Sequence, residues 1–229
     1  VDFNQRTNPL YKKVKDLIDS GDLGEMKRVI WIITDWYRSQ SYYDQGGWRA
    51  TWDGEGGGVL LNQNPHNLDL WQWMCGMPKR VKSEVYYGKH RKIEVEDDLY
   101  ALVEYENGAT GCYITTVGDA PGTNRLEIDG TNGKIVVENN ELTFYRLRTP
   151  EPEFNATYKG GLGKPEVWEC KIPIKGTYTS HPGIINNFCD CILKGAKPIA
   201  PGAEGIRGLQ ISNAIHLSSW LNGEWVDLP

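Results

Sequence analysis

The run LYALVEYENGATGCYITT (residues 99–116), continued by RLEIDGTNGKIVVENNELTFYRLR (residues 125–148), decides the fold. Strand stretches over 80–87, 99–105, 109–116, 125–129, 134–138 and 142–148 follow Pro78. The later ones are separated by Glu106-Asn107-Gly108, Gly130-Thr131-Asn132-Gly133 and Asn139-Asn140, residue types that suit tight turns. Connections this short join neighbours head to tail, so the pairing is mainly antiparallel. Upstream, residues 26–37 read as a long strand in which Val29, Trp31 and Ile33 alternate against Arg28, Ile30, Ile32 and Thr34, with one very apolar face. Downstream, 149–165 is an excursion and 167–172 returns as a strand.

Helices frame this sheet. Asn8-Pro9 caps and opens one through Leu10, Val14, Leu17 and Ile18, and two more occupy 184–193 and 204–221 before a short terminal strand at 225–228. The expectation is a single α+β domain: a large, mostly antiparallel open β-sheet with helices packed on one face.

Between the first strand and the run lies GEGGGVLLNQNPHNLDLWQWMCG (residues 54–76). At about 100° per residue, Asn62, His66, Asp69 and Trp73 share one helical face, and Leu60, Leu61, Leu68, Trp71 and Met74 the other. Imidazole titrates near neutral pH, and a neighbouring amide or carboxylate fixes its tautomer, so this face suits chemistry at a carbonyl or hydroxyl. The same spacing describes a solvated helix face with a structural histidine. Pro65 leaves two geometries: a kinked helix, or a new helix with Asn64 as N-cap and Pro65 as its first residue, which puts Asn62 in the turn before it.

The aromatic and polar loop 38–53 is too long for a mere turn. Tyr42, Tyr43, Trp48, Arg49, Trp52 and Asp53 suit a site for a polyhydroxylated ligand, aromatic faces packing on sugar C–H faces while Arg and Asp bond to hydroxyls; a surface loop pinned by its aromatics reads equally well. The acidic stretch Glu94, Glu96, Asp97 and Asp98 reads as a solvated hairpin end, and no metal site is expected.

A net charge of -5 without a clustered basic patch argues against a nucleic-acid surface. Five cysteines form no disulfide framework and point to reduced thiols in the cytoplasm, and no membrane-spanning run is visible. The opening VDFNQRTNP reads as the interior of a protein, which suggests an excised domain. Strand, then G-x-G-x-x-G opening a helix, does not occur, nor do a Walker A motif, a Gly-x-Ser-x-Gly elbow or a zinc Cys-x-x-Cys.

The order of landmarks carries a resemblance. NQR (residues 4–6) with NPLYKKVKDLIDSGDLGEMKRV, then GGGVLLNQNPHNLDLWQWMCG, then HPGIINNFCDCILKGAKPIAPGAEGIRGLQISNAIHLSSWLNGEWVDLP resemble the C-terminal half of the Gfo/Idh/MocA oxidoreductases, over essentially the whole chain. The resemblance implies an NAD(P)-dependent enzyme acting on a CH–OH group of a sugar, polyol or inositol-like substrate. It also implies a separate N-terminal Rossmann domain for NAD or NADP, with none bound by this half alone, and a dihydrodipicolinate-reductase-like sheet that joins copies into a homodimer or homotetramer. The family's catalytic lysine belongs to a Glu-Lys-Pro motif outside this chain, so the half alone is expected to be inactive.

The family's Asp-x-x-x-His pair maps onto Asn62 and His66 as the catalytic positions, with Asp69 following. An amide accepts no proton at neutral pH, which makes His66 the proton acceptor. Arg6 matches a position near the interdomain junction and is expected to touch the cofactor. Trp48, Arg49, Trp52, Asp53, Asp69 and His181 are the expected substrate-binding residues, His181 alternatively being an ordinary residue at a helix start. Rival readings are a non-catalytic scaffold or sensor and a carbohydrate-binding module built on Trp48 and Trp52.

Overall fold

The computed structural model describes residues 1–229. Three strands anchor its centre. β1 (Met26–Ile33) sends Val29, Trp31 and Ile33 into the core, each fully buried, and leaves Ile30 and Ile32 half-buried on the opposite face. β4 (Thr110–Thr116) lies on one side of it and β5 (Asn124–Gly130) on the other. With β2 (Arg80–Tyr87), β3 (Glu96–Glu104), β6 (Gly133–Glu138), β7 (Glu141–Leu147), β8 (Val167–Ile172) and β9 (Val226–Asp227), the nine strands run in the order β8-β7-β6-β5-β1-β4-β3-β2-β9.

Every pairing is antiparallel except β1 with β4, where Arg28 faces Thr110 and Ile33 faces Thr115. The parallel pair follows from chain path. After β1 the chain leaves over the helical face and returns at β2, and the meander β2-β3-β4 brings β4 back alongside β1 running the same way. β1 is also shorter than the 26–37 expected from its apolar residues. Its neighbours end there: residues 117–123 cross over its tip, Thr34 donates to the Thr123 carbonyl at 2.7 Å, and a Cβ on Gly122 would stand 2.1 Å from the Thr34 carbonyl oxygen.

One face of the sheet carries α1 (Pro9–Asp19), α3 (Pro65–Cys75) and α6 (Gly205–Trp220). Their apolar sides close on Trp31, Tyr113, Leu99, Leu126 and Ile128, and Trp71 donates from Nε1 to the Tyr105 hydroxyl at 2.7 Å. Burial of this size is the main stabilising term of the domain. The other face is open, with Tyr86, Tyr100 and Leu102 exposed on β2 and β3 and an ion-pair network of Arg125, Glu127, Lys134 and Glu138 on β5 and β6, with two strands between. Short helices α2 (Gln40–Asp44) and α4 (Glu151–Thr157) and the longer α5 (Ser180–Lys194) complete the chain, and α5 buries none of its residues.

The acidic stretch departs from its expected solvated hairpin end. Glu96 and Asp97 are fully buried and Asp98 nearly so. Each is occupied: Glu96 accepts from the amides of Gly58 (2.8 Å) and Leu60 (2.9 Å), Asp97 from those of Lys89, His90 and Arg91, and Asp98 pairs with Lys89 and His90. Buried carboxylates persist only when backbone or cationic donors meet them; those of Glu96 come from 38 and 36 residues upstream, and those of Asp97 and Asp98 from the 89–91 turn that folds back on the strand.

Candidate active site

Asn64 sits at the N-cap of α3 and Pro65 at its first turn, so a new helix begins here and Asn62 belongs to the turn before it. Asn64 donates to the Thr115 hydroxyl of β4, pinning the start of α3 to the sheet. His66 therefore projects from the first turn, where the 3-10 turn Asn4–Thr7 and the start of α5 converge on it.

His66 is half-buried and meets the Phe3 ring edge to face, with centroids 6.1 Å apart. Its Nδ1 is buried without a partner, and Nε2 makes no hydrogen bond within the chain. Burial lowers its pKa from the ordinary imidazole value against the pull of the Asp2 and Asp69 carboxylates, so near neutral pH the ring is uncharged and able to accept a proton.

Behind it, Arg6 and Asp69 form a two-pronged ion pair, with Nε to Oδ2 at 2.8 Å and Nη2 to Oδ1 at 2.6 Å, both residues 1% exposed. Nη1 reaches Glu204 at 2.6 Å and the Ile199 carbonyl at 3.1 Å, and Gln72 donates to Asp69 at 3.0 Å. Burial alone would lower the Arg6 pKa, but Asp69 and Glu204 more than offset it and the guanidinium stays charged. Four of the five N–H donors of Arg6 are thus engaged within the chain, and the second N–H of Nη2 is not. Arg6, expected to touch the cofactor, has most of its donors turned to this network, and Asp69, expected to touch substrate, faces Arg6 and Gln72. Both residues position α3 against the 3-10 turn and α6.

His181, at the start of α5, joins the same end. Its Nδ1 lies 2.6 Å from the Asp2 carboxylate and its Nε2 3.0 Å from Asn4 Nδ2, which assigns the proton to Nδ1 and the acceptor to Nε2. Asn62 turns the other way: its amide donates to Glu55, and its oxygen accepts from Gln63 and, at 3.4 Å, from the Tyr42 hydroxyl. Arg49 donates to that hydroxyl at 2.9 Å and lies over the rings of Tyr42 and Trp48, 4.8 and 4.4 Å from their centroids. Trp48, Arg49, Tyr42 and Asn62 so form one continuous wall.

Trp52 does not join it. Its ring packs among Tyr87, His216 and Trp220, and Asp53 is exposed with no ion-pair partner. The paired Trp48 and Trp52 platform expected of a carbohydrate-binding module does not form. Asp2, Asn4, Glu55 and Glu204 escaped sequence reasoning, because each meets its partner through a contact that only the fold creates.

The glycines before α3 serve this geometry. Gly56 adopts φ +80°, and a Cβ on Gly58 would stand 2.1 Å from the Glu96 carbonyl oxygen, so the strap can lie against β3 only with glycine there. They lead from a loop into another turn, and Gly160 to Gly163 lie in an exposed loop, so neither run forms the strand-to-helix cradle that a dinucleotide pyrophosphate needs. A cavity of about 620 Å³ lies on the outer face of the sheet beside Arg28, Arg125 and Tyr145, away from the histidine.

An open sheet backed by α3, with a neutral histidine at the helix start, defines an α+β domain with a candidate proton acceptor at one end. The model of the GFO/IDH/MocA C-terminal domain matches residues 11–136, and the chain belongs to that family. It is 24% identical over 262 residues to the levoglucosan dehydrogenase of Pseudarthrobacter phenanthrenivorans, covering all of this chain and 66% of that protein. The WlbA dehydrogenase of Bordetella pertussis, solved in complex with NADH and UDP-GlcNAcA, superposes with a TM-score of 0.79 at 26% identity, over all of this chain and 62% of that one. The WlbA dehydrogenase of Chromobacterium violaceum, solved with the same two ligands, gives 0.80 and 27%, again over 62% of its length. The chain thus spans just under two thirds of the length of these relatives.

Proposed function

We propose that this chain is the substrate-binding and dimerisation part of an NAD(P)-dependent oxidoreductase acting on a CH–OH group of a sugar, polyol or inositol-like compound, and that it is inactive without a nucleotide-binding domain. The observation that carries the reading is His66: an imidazole kept neutral by burial, with Nε2 unengaged, at the start of a helix held by the Arg6–Asp69 pair. The relatives support it, being dehydrogenases, of which the two WlbA proteins are solved in complex with NADH and UDP-GlcNAcA.

In this reading His66 accepts the proton of the substrate hydroxyl through Nε2, together with a lysine from the other domain. Asn62, held by Glu55, Gln63 and Tyr42, keeps one amide N–H for a neighbouring hydroxyl and takes no proton. Trp48 and Arg49 wall the sugar, and His181, held by Asp2 and Asn4, approaches from α5. Arg6 and Asp69 act by positioning α3. NAD or NADP supplies the hydride acceptor, and the N-terminal Rossmann domain holds it.

The outer sheet face, with Tyr86, Tyr100 and Leu102 exposed, is the surface through which two or four copies associate. The five cysteines, none paired, suit the cytoplasm, and no helix is long and apolar enough to cross a membrane. The test is a panel of aldoses and polyols assayed with NAD and NADP on this chain joined to its nucleotide-binding domain. Turnover of at least one neutral sugar or polyol is expected; none with either cofactor contradicts the reading.

A further inference from the structure

Between the glycine strap and α6 lies a cavity of about 240 Å³ that the catalytic reading does not use. Its walls are Trp52 and Trp220, whose rings meet at 61° with centroids 6.3 Å apart, together with Leu61, Ser212, Asn213 and His216. Gly56 and Gly57 complete it, and a Cβ on Gly57 would stand 3.2 Å from that of Leu61, so side chains there would crowd the space. His216 is 6% exposed and Ser212 5%. His216 Nδ1 bonds to the Tyr87 hydroxyl at 3.0 Å, while its Nε2 makes no hydrogen bond; nor does the Ser212 hydroxyl, and neither atom is sealed off as a buried orphan. Two buried polar side chains thus offer unused hydrogen-bonding atoms at a cavity with two indole walls.

We propose that this cavity is a second binding site, for a single neutral pyranose ring. Indole faces pack on the C–H face of a sugar, while a serine hydroxyl, an amide and a neutral imidazole exchange hydrogen bonds with its hydroxyls. The volume lies below that of drug-sized pockets and suits one ring. Charge sets the class: no lysine or arginine lines the cavity, and the buried Glu96 stands 3.7 Å from His216 Nε2, so phosphorylated or carboxylated sugars meet no counter-charge. Trp52, expected from the sequence to bind substrate, belongs to this site and Trp48 to the other.

The test is a titration of the chain with methyl β-D-glucopyranoside, followed by the indole NMR signals of Trp52 and Trp220. Saturable shifts are expected with a dissociation constant of about 1 mM, the affinity of a ligand this small at ordinary efficiency, and glucuronate should bind at least several-fold more weakly. Trp220→Ala, at a side chain 60% exposed, should weaken binding about tenfold or more, and Ser212→Ala, which removes only a hydroxyl, should weaken it by a smaller factor. His66→Ala should leave the titration unchanged. Absent shifts, or shifts indifferent to both Trp220→Ala and Ser212→Ala, overturn the second site. Loss of the shifts in His66→Ala also overturns it, while supporting sugar binding at His66, so the two readings fail separately.

Discussion

Two histidines in this chain are driven toward the neutral form by the same force and end in different settings. His66 lies at a helix start among Asp2, Asp69 and His181, with Nε2 unengaged. His216 lies deep on α6, ringed by Trp52, Tyr87 and Trp220, and burial pushes its pKa down to about 4. Burial also raises its neighbour Glu96 to about 7, so the two stand 3.7 Å apart as an uncharged pair over the pH range between, although they are placed like an ion pair. Desolvation alone therefore marks neither residue as reactive. What separates them is the company: charged groups and a helix terminus in one case, aromatic walls in the other.

The sharpest way to break the contrast is at the ion pair behind His66. Asp69→Ala leaves the Arg6 guanidinium, 1% exposed, with only Glu204 and the Ile199 carbonyl as partners, and should cost about 3 kcal/mol in urea unfolding of the chain, the low end for a broken buried pair. A loss under about 1 kcal/mol would show that the helix carrying His66 is held by something else.

Next in size is the neutral pair. Folded Glu96 keeps its proton up to about 7, well above the ordinary 4.5, so its contribution to stability falls as pH rises through that window. Folded His216 stays neutral down to about 4 against the ordinary 6.5, so its contribution rises with pH from 4 to 6.5. The slopes oppose each other, and wild-type stability should be nearly flat between pH 4.5 and 6.5. Glu96→Gln removes the falling slope, and the variant should gain up to roughly 3 kcal/mol between pH 4 and 6.5. Equal profiles for the two proteins would show that the pair does not titrate as described.

Smallest is the effect of His66→Ala on folding. The ring is half-buried, leaves Nδ1 unpartnered, and makes an edge contact with Phe3, so thermal unfolding should shift by no more than about 1 kcal/mol in stability. A larger loss would make His66 a structural residue like His216.

Local pattern made part of this legible. Turn residues at 106–108, 130–133 and 139–140 mark the ends of strands that the structure pairs as hairpins, and Pro65 after Asn64 marks the start of α3. Alternation of Val29, Trp31 and Ile33 gave the buried face of β1, but not its parallel partner or its early end, which depend on where β4 and the 117–123 crossing lie. Glu96, Asp97 and Asp98 look like a solvated cluster because the backbone amides that meet them come from the 58–60 and 89–91 segments. Arg6 and Asp69, 63 residues apart, carry no local sign of each other. His66 stood out through its helix face and family motif, whereas nothing in the spacing of α6 singled out His216.

The most direct measurement is steady-state turnover of His66→Ala in this chain joined to its nucleotide-binding domain, on a substrate found in the aldose and polyol panel. Loss of a positioned proton acceptor should lower kcat by about 10²–10⁴ with little change in melting temperature. A kcat/KM within about threefold of wild type would contradict the account, since an imidazole that takes the substrate proton leaves its mark on that ratio.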